Sequence, residues 1–205
     1  MNIKDGLKLP GTGKIIIPDC FRDDLPEFFK EMGFRTGVEV GVDQGKYSEK
    51  LCQAGLTVFG VDPYLIYEGF IEHEIQEKMD RHERDARRKL AKYKNFKLIK
   101  KTSMDAVKDF ENESIDFVFI DGNHGFKFVT EDIFEWSKKV RKGGVIAGHD
   151  YIYSSDPRLH HQDVKYVVPA YTRAIKLKRW YVLGSDEKIP GQKRDRARSW
   201  MWIKE

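Results

Sequence analysis

The stretch from Ile115 to Asp150, IDFVFIDGNHGFKFVTEDIFEWSKKVRKGGVIAGHD, constrains the fold of this chain more than any other. It holds two apolar runs, Ile115 to Ile120 and Val145 to Ala147, too short for helices and rich in Val, Ile and Phe. Between them Phe126, Val129, Ile133, Trp136 and Val140 step by three and four along one helical face, and Lys142 with Gly143 and Gly144 predicts the stop. Strand, helix and strand with unbroken apolar strands predict a parallel sheet buried on both faces, because parallel neighbours require a crossover and the crossover helix covers a face. Such sheets carry their chemistry at the carboxyl ends of the strands. Asp121, Asn123, His124, His149 and Asp150 all fall at those ends, which predicts an enzyme with its reactive corner there. Asn123 reads as a turn residue that tolerates the local backbone.

A second unit lies upstream. Thr36 to Gly41 reads as a strand that opens into Val42, Asp43, Gln44, Gly45 and Lys46, followed by a helix from about Tyr47 to Ala54 and a stop at Gly55. Glycine at 41 and 45 permits a tight turn and a close approach to a helix amino terminus, where free N–H groups favour anionic or polar ligands. The next strand, Leu56 to Val61, ends in Asp62, Pro63 and Tyr64. A carboxylate about 20 residues past a glycine turn is placed to hold the hydroxyls of an adenosine ribose. Such an acid suits a nicotinamide dinucleotide as well, but the chain lacks the G-x-G-x-x-G of that class.

The remaining segments are less patterned. Residues 1 to 20, with Gly6, Pro10, Gly11, Gly13 and Pro18 around Ile15 to Ile17, read as an irregular arm or cap rather than a sheet element. A helix is predicted from about Asp24 to Met32, with Gly33 as its stop. From Ile71 to Tyr93 a long charged helix carries one narrow stripe of Ile71, Ile75, Met79, His82, Ala86, Leu90 and Tyr93, with His82 read as a filler of that stripe. A stripe so narrow is also compatible with pairing to a second copy, which makes a homo-oligomer one expectation. Phe96 to Lys100 reads as a strand, and Ser103 to Phe110 as a short helix capped by Thr102 or Ser103. The polar, aromatic loop from Tyr151 to Asp163 is placed as a lid, and a helix follows from about Val164 to Leu177, with Pro169 inside its pattern. Arg179 to Leu183 and Trp200 to Ile203 predict a closing hairpin, and the basic run at 193 to 198 reads as a solvated loop.

Composition narrows the classes. At 205 residues the chain predicts one domain, 1–205, with a core that needs no staples. Two cysteines at unrelated positions make neither a disulfide framework nor a zinc site, so a reduced, cytoplasmic setting is the expectation. No apolar run approaches the roughly 20 residues that span a bilayer, and the first residues lack the apolar centre of a secretion signal, so no membrane partner is expected. A net charge of +4 from 37 basic and 33 acidic residues accommodates an anionic ligand but falls short of a nucleic-acid-binding stripe.

The segments VEVGVDQGKYS, VFGVDPY, FVFIDGNHGFKFVTEDIFEW and GGVIAGHDY resemble, in order and spacing, the class I S-adenosylmethionine-dependent methyltransferases. More narrowly they are similar to the O-methyltransferase branch of macrolide-sugar and catechol enzymes. The resemblance covers roughly Thr36 to Tyr151. It implies an α/β fold, a Rossmann-like doubly wound sheet of seven strands with only the last antiparallel and helices on both faces. It implies S-adenosylmethionine as cofactor, with Glu39, Gly41, Val42 and Gly45 toward the methionine, Asp62 at the ribose beside Pro63 and Tyr64, and Ser103 and Met104 at the adenine. Asp121 then opens the acceptor site, and His124 matches the position of the base that deprotonates a small hydroxylated acceptor, a sugar or natural-product type molecule. A histidine with an ordinary pKa near 6.5 suits that task.

Some relatives also hold magnesium through acids at the two strand ends, here Asp121 and Asp150, with His149 beside them. A divalent ion lowers the pKa of a bound hydroxyl, but magnesium prefers oxygen to the nitrogen that His149 offers, so the sequence leaves metal dependence open. Further readings are an NAD-dependent oxidoreductase, a nucleic-acid or protein N-methyltransferase, and a non-catalytic module that only binds S-adenosylmethionine. The N-methyltransferase would want an Asn/Asp-Pro-Pro-aromatic turn where this chain has Asp121, Gly122, Asn123 and His124.

Overall fold

The computed structural model describes residues 1–67, 75–153 and 162–205. In chain order the elements are α1 (Ile3–Gly6), β1 (Gly13–Ile17), a 3-10 turn (Arg22–Asp24), α2 (Leu25–Glu31), β2 (Thr36–Val40), α3 (Lys46–Gln53) and β3 (Thr57–Val61). Then come α4 (Gln76–Leu90), β4 (Phe96–Ile99), α5 (Ser103–Ala106), β5 (Ile115–Ile120), α6 (Phe126–Lys139), β6 (Val140–Tyr151), α7 (Val164–Ala174), β7 (Arg179–Leu183) and β8 (Arg198–Ile203).

One sheet runs in the order β1-β7-β8-β6-β5-β2-β3-β4. Only β8 is antiparallel to its neighbours β6 and β7; the other pairs are parallel. The chain leaves the β2/β5 pair in opposite directions, so the carboxyl ends of β2 and β5 form the topological switch point, where an open α/β sheet leaves a crevice. Gly41 and Asp121 follow those two strands directly. One face packs β2, β5 and β6 side chains such as Val38, Val118 and Ile146 against Ile133 and Trp136 of α6 and Val167 and Val168 of α7. The opposite face packs Phe117, Phe119 and Ala147 against Leu25, Phe28 and Phe29 of α2 and Leu51 of α3. Helices on both faces explain the unbroken apolar strands, since β5 has no solvated side.

The sheet has eight strands rather than the seven expected. The extra one is β1, from the segment read as an irregular arm; it pairs in parallel with β7, Gly13 opposite Arg179 through Ile17 opposite Leu183. Ile15 and Ile17 are buried, while Ile16 between them is half-buried and Lys14 before them is exposed, a period-2 pattern confined to five residues and hidden by flanking Gly and Pro. The predicted strand at 145–147 is likewise the centre of a longer one. α6 stops at Lys139 and β6 starts at Val140, with a register irregularity opposite Ile115 and Phe117 that absorbs the Gly143–Gly144 pair. Val140 remains buried as predicted, whereas Phe126, the first residue of α6, is 64% exposed.

α4 covers Gln76 to Leu90, and Ile71 to Glu74 of the predicted helix lie outside the described residues. Met79, Ala86 and Leu90 are buried against Val42 and Tyr64, so this part of the stripe is covered by the chain's own core, while Ile75 is 60% exposed. His82 is not an apolar filler there: its Nδ1 pairs with the Asp43 carboxylate and its Nε2 lies 3.3 Å from Gln44 Nε2. Most of the lid segment at 151–163 lies outside the described residues; Tyr151, Ile152, Tyr153, Gln162 and Asp163 are within them. Pro169 sits inside α7, and Cys20 and Cys52 are both free and buried. No helix among the described residues is long and apolar enough to cross a membrane.

Candidate active site

A cavity of about 500 Å³ opens at the switch point, lined by Gly41, Asp62, Pro63, Tyr64, Ser103, Met104 and Asp121 among others. Glu39, Val42 and Gly45 are not among its lining residues. The Glu39 carboxyl, 1% exposed, accepts the Ser48 hydroxyl, and burial drives its pKa well above the usual range. Gly41 (φ +91°) is glycine for a reason other than ligand approach: a Cβ there would sit 2.1 Å from the Asp121 carbonyl oxygen, so the β2 turn lets the end of β5 come close. At Gly45 a Cβ would meet Leu90 Cδ1 at 2.7 Å, which makes that glycine a packing contact with α4.

Asp62 ends β3 and organises the turn after β2. Its Oδ2 accepts the backbone N–H groups of Val42 and Asp43, each at 3.0 Å, and its Oδ1 accepts that of Tyr64 at 2.9 Å. Burial raises its pKa against the pull of those three bonds. Two lone pairs per oxygen leave Oδ1 one position for a ligand hydroxyl. Asp43 and Tyr64 both adopt left-handed backbone (φ +49° and +48°), conformations that persist in non-glycine residues where the surroundings enforce them.

A second group of polar side chains lies beyond Asp121. His124 Nε2 is 3.1 Å from Asp150 Oδ2 and 3.7 Å from Asp121 Oδ1, while its Nδ1 lies 3.0 Å from the Gln162 amide nitrogen Nε2. Burial alone would lower the His124 pKa, but the bond with Asp121 and the charges of Asp150 and Asp121 outweigh it, and the net direction is upward. Asp150, at φ +56°, is held well below the usual carboxylate range: burial opposes this, and His149 and His124 overcome it.

Side-chain atoms of Asp121, His124 and Asp150 lie within 4.8 Å of one another, a three-donor cluster that fits a divalent ion. His149 stands behind this cluster, Nδ1 toward Asp150 (3.2 Å) and Nε2 toward Asp195 (3.5 Å). Burial opposes protonation of His149, yet these two carboxylates push its pKa up to about 9.

Several contributors were not singled out in the sequence. Arg22 reaches from the 3-10 turn to Asp121 Oδ2 at 3.2 Å, and its backbone N–H meets Asp195 Oδ2 at 3.2 Å. Neither residue carries a local signal, since each meets the site across the fold. Asp132 lines the cavity at 4% exposure, and here a signal existed: it is a charged residue beside Val129, Ile133 and Trp136 on the apolar face of α6.

Residues 38–151, more than half of the chain, match a family model described as a methyltransferase domain. The chain belongs to the class I methyltransferases. The matched span runs from β2 to the end of β6 and contains Gly41, Asp62, Asp121, His124 and Asp150 of this methyltransferase domain. A curated relative from Sinorhizobium fredii (strain NBRC 101917 / NGR234), the uncharacterized protein y4gI, is 30% identical over 125 residues. Those residues are 57% of this chain and 13% of the relative, so the methyltransferase spans only a small part of that protein's length.

Solved structures extend the likeness in fold. An O-methyltransferase from Bacillus cereus in complex with S-adenosylhomocysteine aligns with TM-score 0.59 at 20% identity, over 89% of this chain and 80% of that one. The O-methyltransferase TomG from Streptomyces achromogenes, involved in tomaymycin synthesis and solved with S-adenosylmethionine, gives 0.61 at 16%, over 90% and 80%. An rRNA methylase from Streptococcus thermophilus gives 0.59 at 14%, over 88% and 95%.

Proposed function

We propose that this chain transfers a methyl group from S-adenosylmethionine to a hydroxyl of a small molecule, with His124 as the general base. The observation that carries the reading is the double position of Asp121, which lines the cavity on one side and lies 3.7 Å from His124 on the other. The cavity suits the cofactor: its volume is in the range of small-molecule sites, its walls include Val61, Leu65, Met104 and Phe128, and Asp62 and Ser103 supply the polar points. When bound, S-adenosylmethionine supplies an electrophilic methyl group on a sulfonium, open to in-line attack.

The chain's own residues have separable tasks in this reading. Asp62 Oδ1 holds a ribose hydroxyl while its other bonds keep the turn closed. His124 takes the acceptor proton at Nε2. The Gln162 amide nitrogen lies against Nδ1; turning that amide over sets its oxygen there to accept Nδ1–H and leaves the lone pair on Nε2, and Asp121 and Asp150 stabilise the imidazolium that forms. Arg22 and His149 hold the two carboxylates in place from behind. The mild net charge of +4 supports a small acceptor over a polyanion such as RNA.

A second reading, in which a divalent ion activates the acceptor, rests on the same three donors, Asp121, His124 and Asp150. It excludes His124 as base, because one nitrogen cannot hold both metal and proton. Charge favours the metal-free reading: Arg22 and His149 already pair with Asp121 and Asp150, and a third cation there is repelled. Calorimetry with S-adenosylhomocysteine, alone and with manganese, tests cofactor and metal separately. Transfer of a labelled methyl group to a panel of sugars and phenols, by wild type and by His124→Ala, tests the base. No binding by the wild type rejects the cofactor, and full turnover in the variant rejects the base.

A further inference from the structure

Asp132 is a carboxyl group where the apolar face of α6 calls for an aliphatic side chain. It is 4% exposed, and burial lifts its pKa to about 7, with the Ser103 hydroxyl the opposing influence and Glu131 adding to the rise. Among the described residues no cation pairs with it, and a buried acid so placed costs stability that an apolar residue at the same place would not. Its setting is ordered. Trp136 Nε1–H donates to Ser103 Oγ at 2.8 Å, and the Ser103 hydroxyl in turn donates to Asp132 Oδ1. That relay spends the hydroxyl hydrogen on Oδ1 and turns the carboxyl plane. Oδ2 is left toward Gly122, 3.9 Å from where a Cβ of that glycine would stand, and Gly122, Ser103 and Asp132 all line the cavity.

We propose that Asp132 is the residue that selects the cofactor's base, its Oδ2 accepting the exocyclic 6-amino group of adenine and rejecting 6-oxo purines. This rests on the cofactor reading above, which sets the adenine beside Ser103 and Met104. The selection is electrostatic and directional. A carboxylate oxygen offers only lone pairs, so it pairs with an amino group and faces a carbonyl oxygen with repulsion. A fixed polar group of this kind discriminates far better than an apolar wall, because the wrong base leaves it unpaired.

The inference is tested by calorimetry at pH 8 with two ligands, S-adenosyl-L-homocysteine and its 6-oxo counterpart S-inosyl-L-homocysteine, on wild type and Asp132→Asn. In the variant the Ser103 hydroxyl still needs an acceptor and keeps the amide oxygen, so the amide N–H turns to the cavity and favours the 6-oxo base. Wild type is expected to bind the 6-amino ligand about tenfold or more tightly than the 6-oxo ligand, and the ratio to fall by about tenfold or more in the variant. Equal loss of both ligands in the variant, or equal affinity of wild type for both, overturns the inference while leaving the cofactor reading intact. Failure of wild type to bind either overturns both. If Asp132→Asn shows no cooperative thermal transition, the wild-type ratio decides alone.

Discussion

Asp132 carries a stability cost whose size and pH range follow from its position. Its pKa rises from 3.8 in the open chain to about 7 in the fold, chiefly through burial. The folded state therefore holds this proton more tightly than the unfolded state. The stability tied to the neutral acid is fully present below pH 3.8 and is lost as pH rises through about 7. At about 1.4 kcal/mol per pKa unit the whole loss is on the order of 4 kcal/mol, and roughly 3 kcal/mol of it falls between pH 5 and pH 8. Asp132→Asn keeps the shape and the bond from Ser103 but cannot ionise. Its stability relative to wild type should rise by roughly 3 kcal/mol from pH 5 to pH 8, or about 8 °C in Tm for a chain of this size. Urea and thermal unfolding of both proteins at the two pH values measure the difference, from which every other titrating group cancels. A difference that does not change with pH refutes the reasoning, because it means the carboxyl is not buried as charge or is neutralised by another group.

Four further outcomes are expected. Gly41→Ala drives a Cβ into the Asp121 carbonyl and should abolish binding of S-adenosylhomocysteine by calorimetry, with a loss of stability of about 1–3 kcal/mol by urea unfolding. His124→Ala should lower methyl transfer about 10²- to 10⁴-fold while the affinity for S-adenosylhomocysteine stays within a few-fold; a parallel loss of both contradicts a base. Chelation with EDTA should leave methyl transfer intact in the wild type, and loss restored by manganese or magnesium would move the assignment to the metal reading. Phe117→Ala opens the core where that ring stacks on Phe29 at 4.3 Å and should cost about 3–5 kcal/mol in denaturant unfolding, without changing the ratio of affinities for adenosyl and inosyl ligands.

Where chemistry was written into a local pattern, reading the chain located it. Ile115–Ile120 and Arg179–Leu183 are strands at the predicted residues, because a short apolar run between polar turns has no other compact solution. Asp121, His124 and Asp150 were legible as a group, since a parallel βαβ unit must bring its two strand ends together. β1 was not legible: five residues between glycines and prolines become a strand only because the edge of β7 offers them hydrogen bonds. The left-handed turn at Gly41 was legible as a glycine, yet its cause, the Asp121 carbonyl lying against it, was not.

Sequence by itself determined the α/β class, the closing hairpin, and the acids and histidine of the corner where β5 and β6 end. All of these follow from the period and punctuation of neighbouring residues, which short-range sterics and burial enforce. Only the tertiary structure decided how that corner is charged. It brought Arg22 to Asp121, set His149 behind the carboxylates against Asp195, let His124 complete the cluster with Asp121 and Asp150, and buried Asp132 in the cavity wall. Those contacts join residues scores of positions apart. Charge, burial and pKa depend on what surrounds a group in space, which no local pattern specifies.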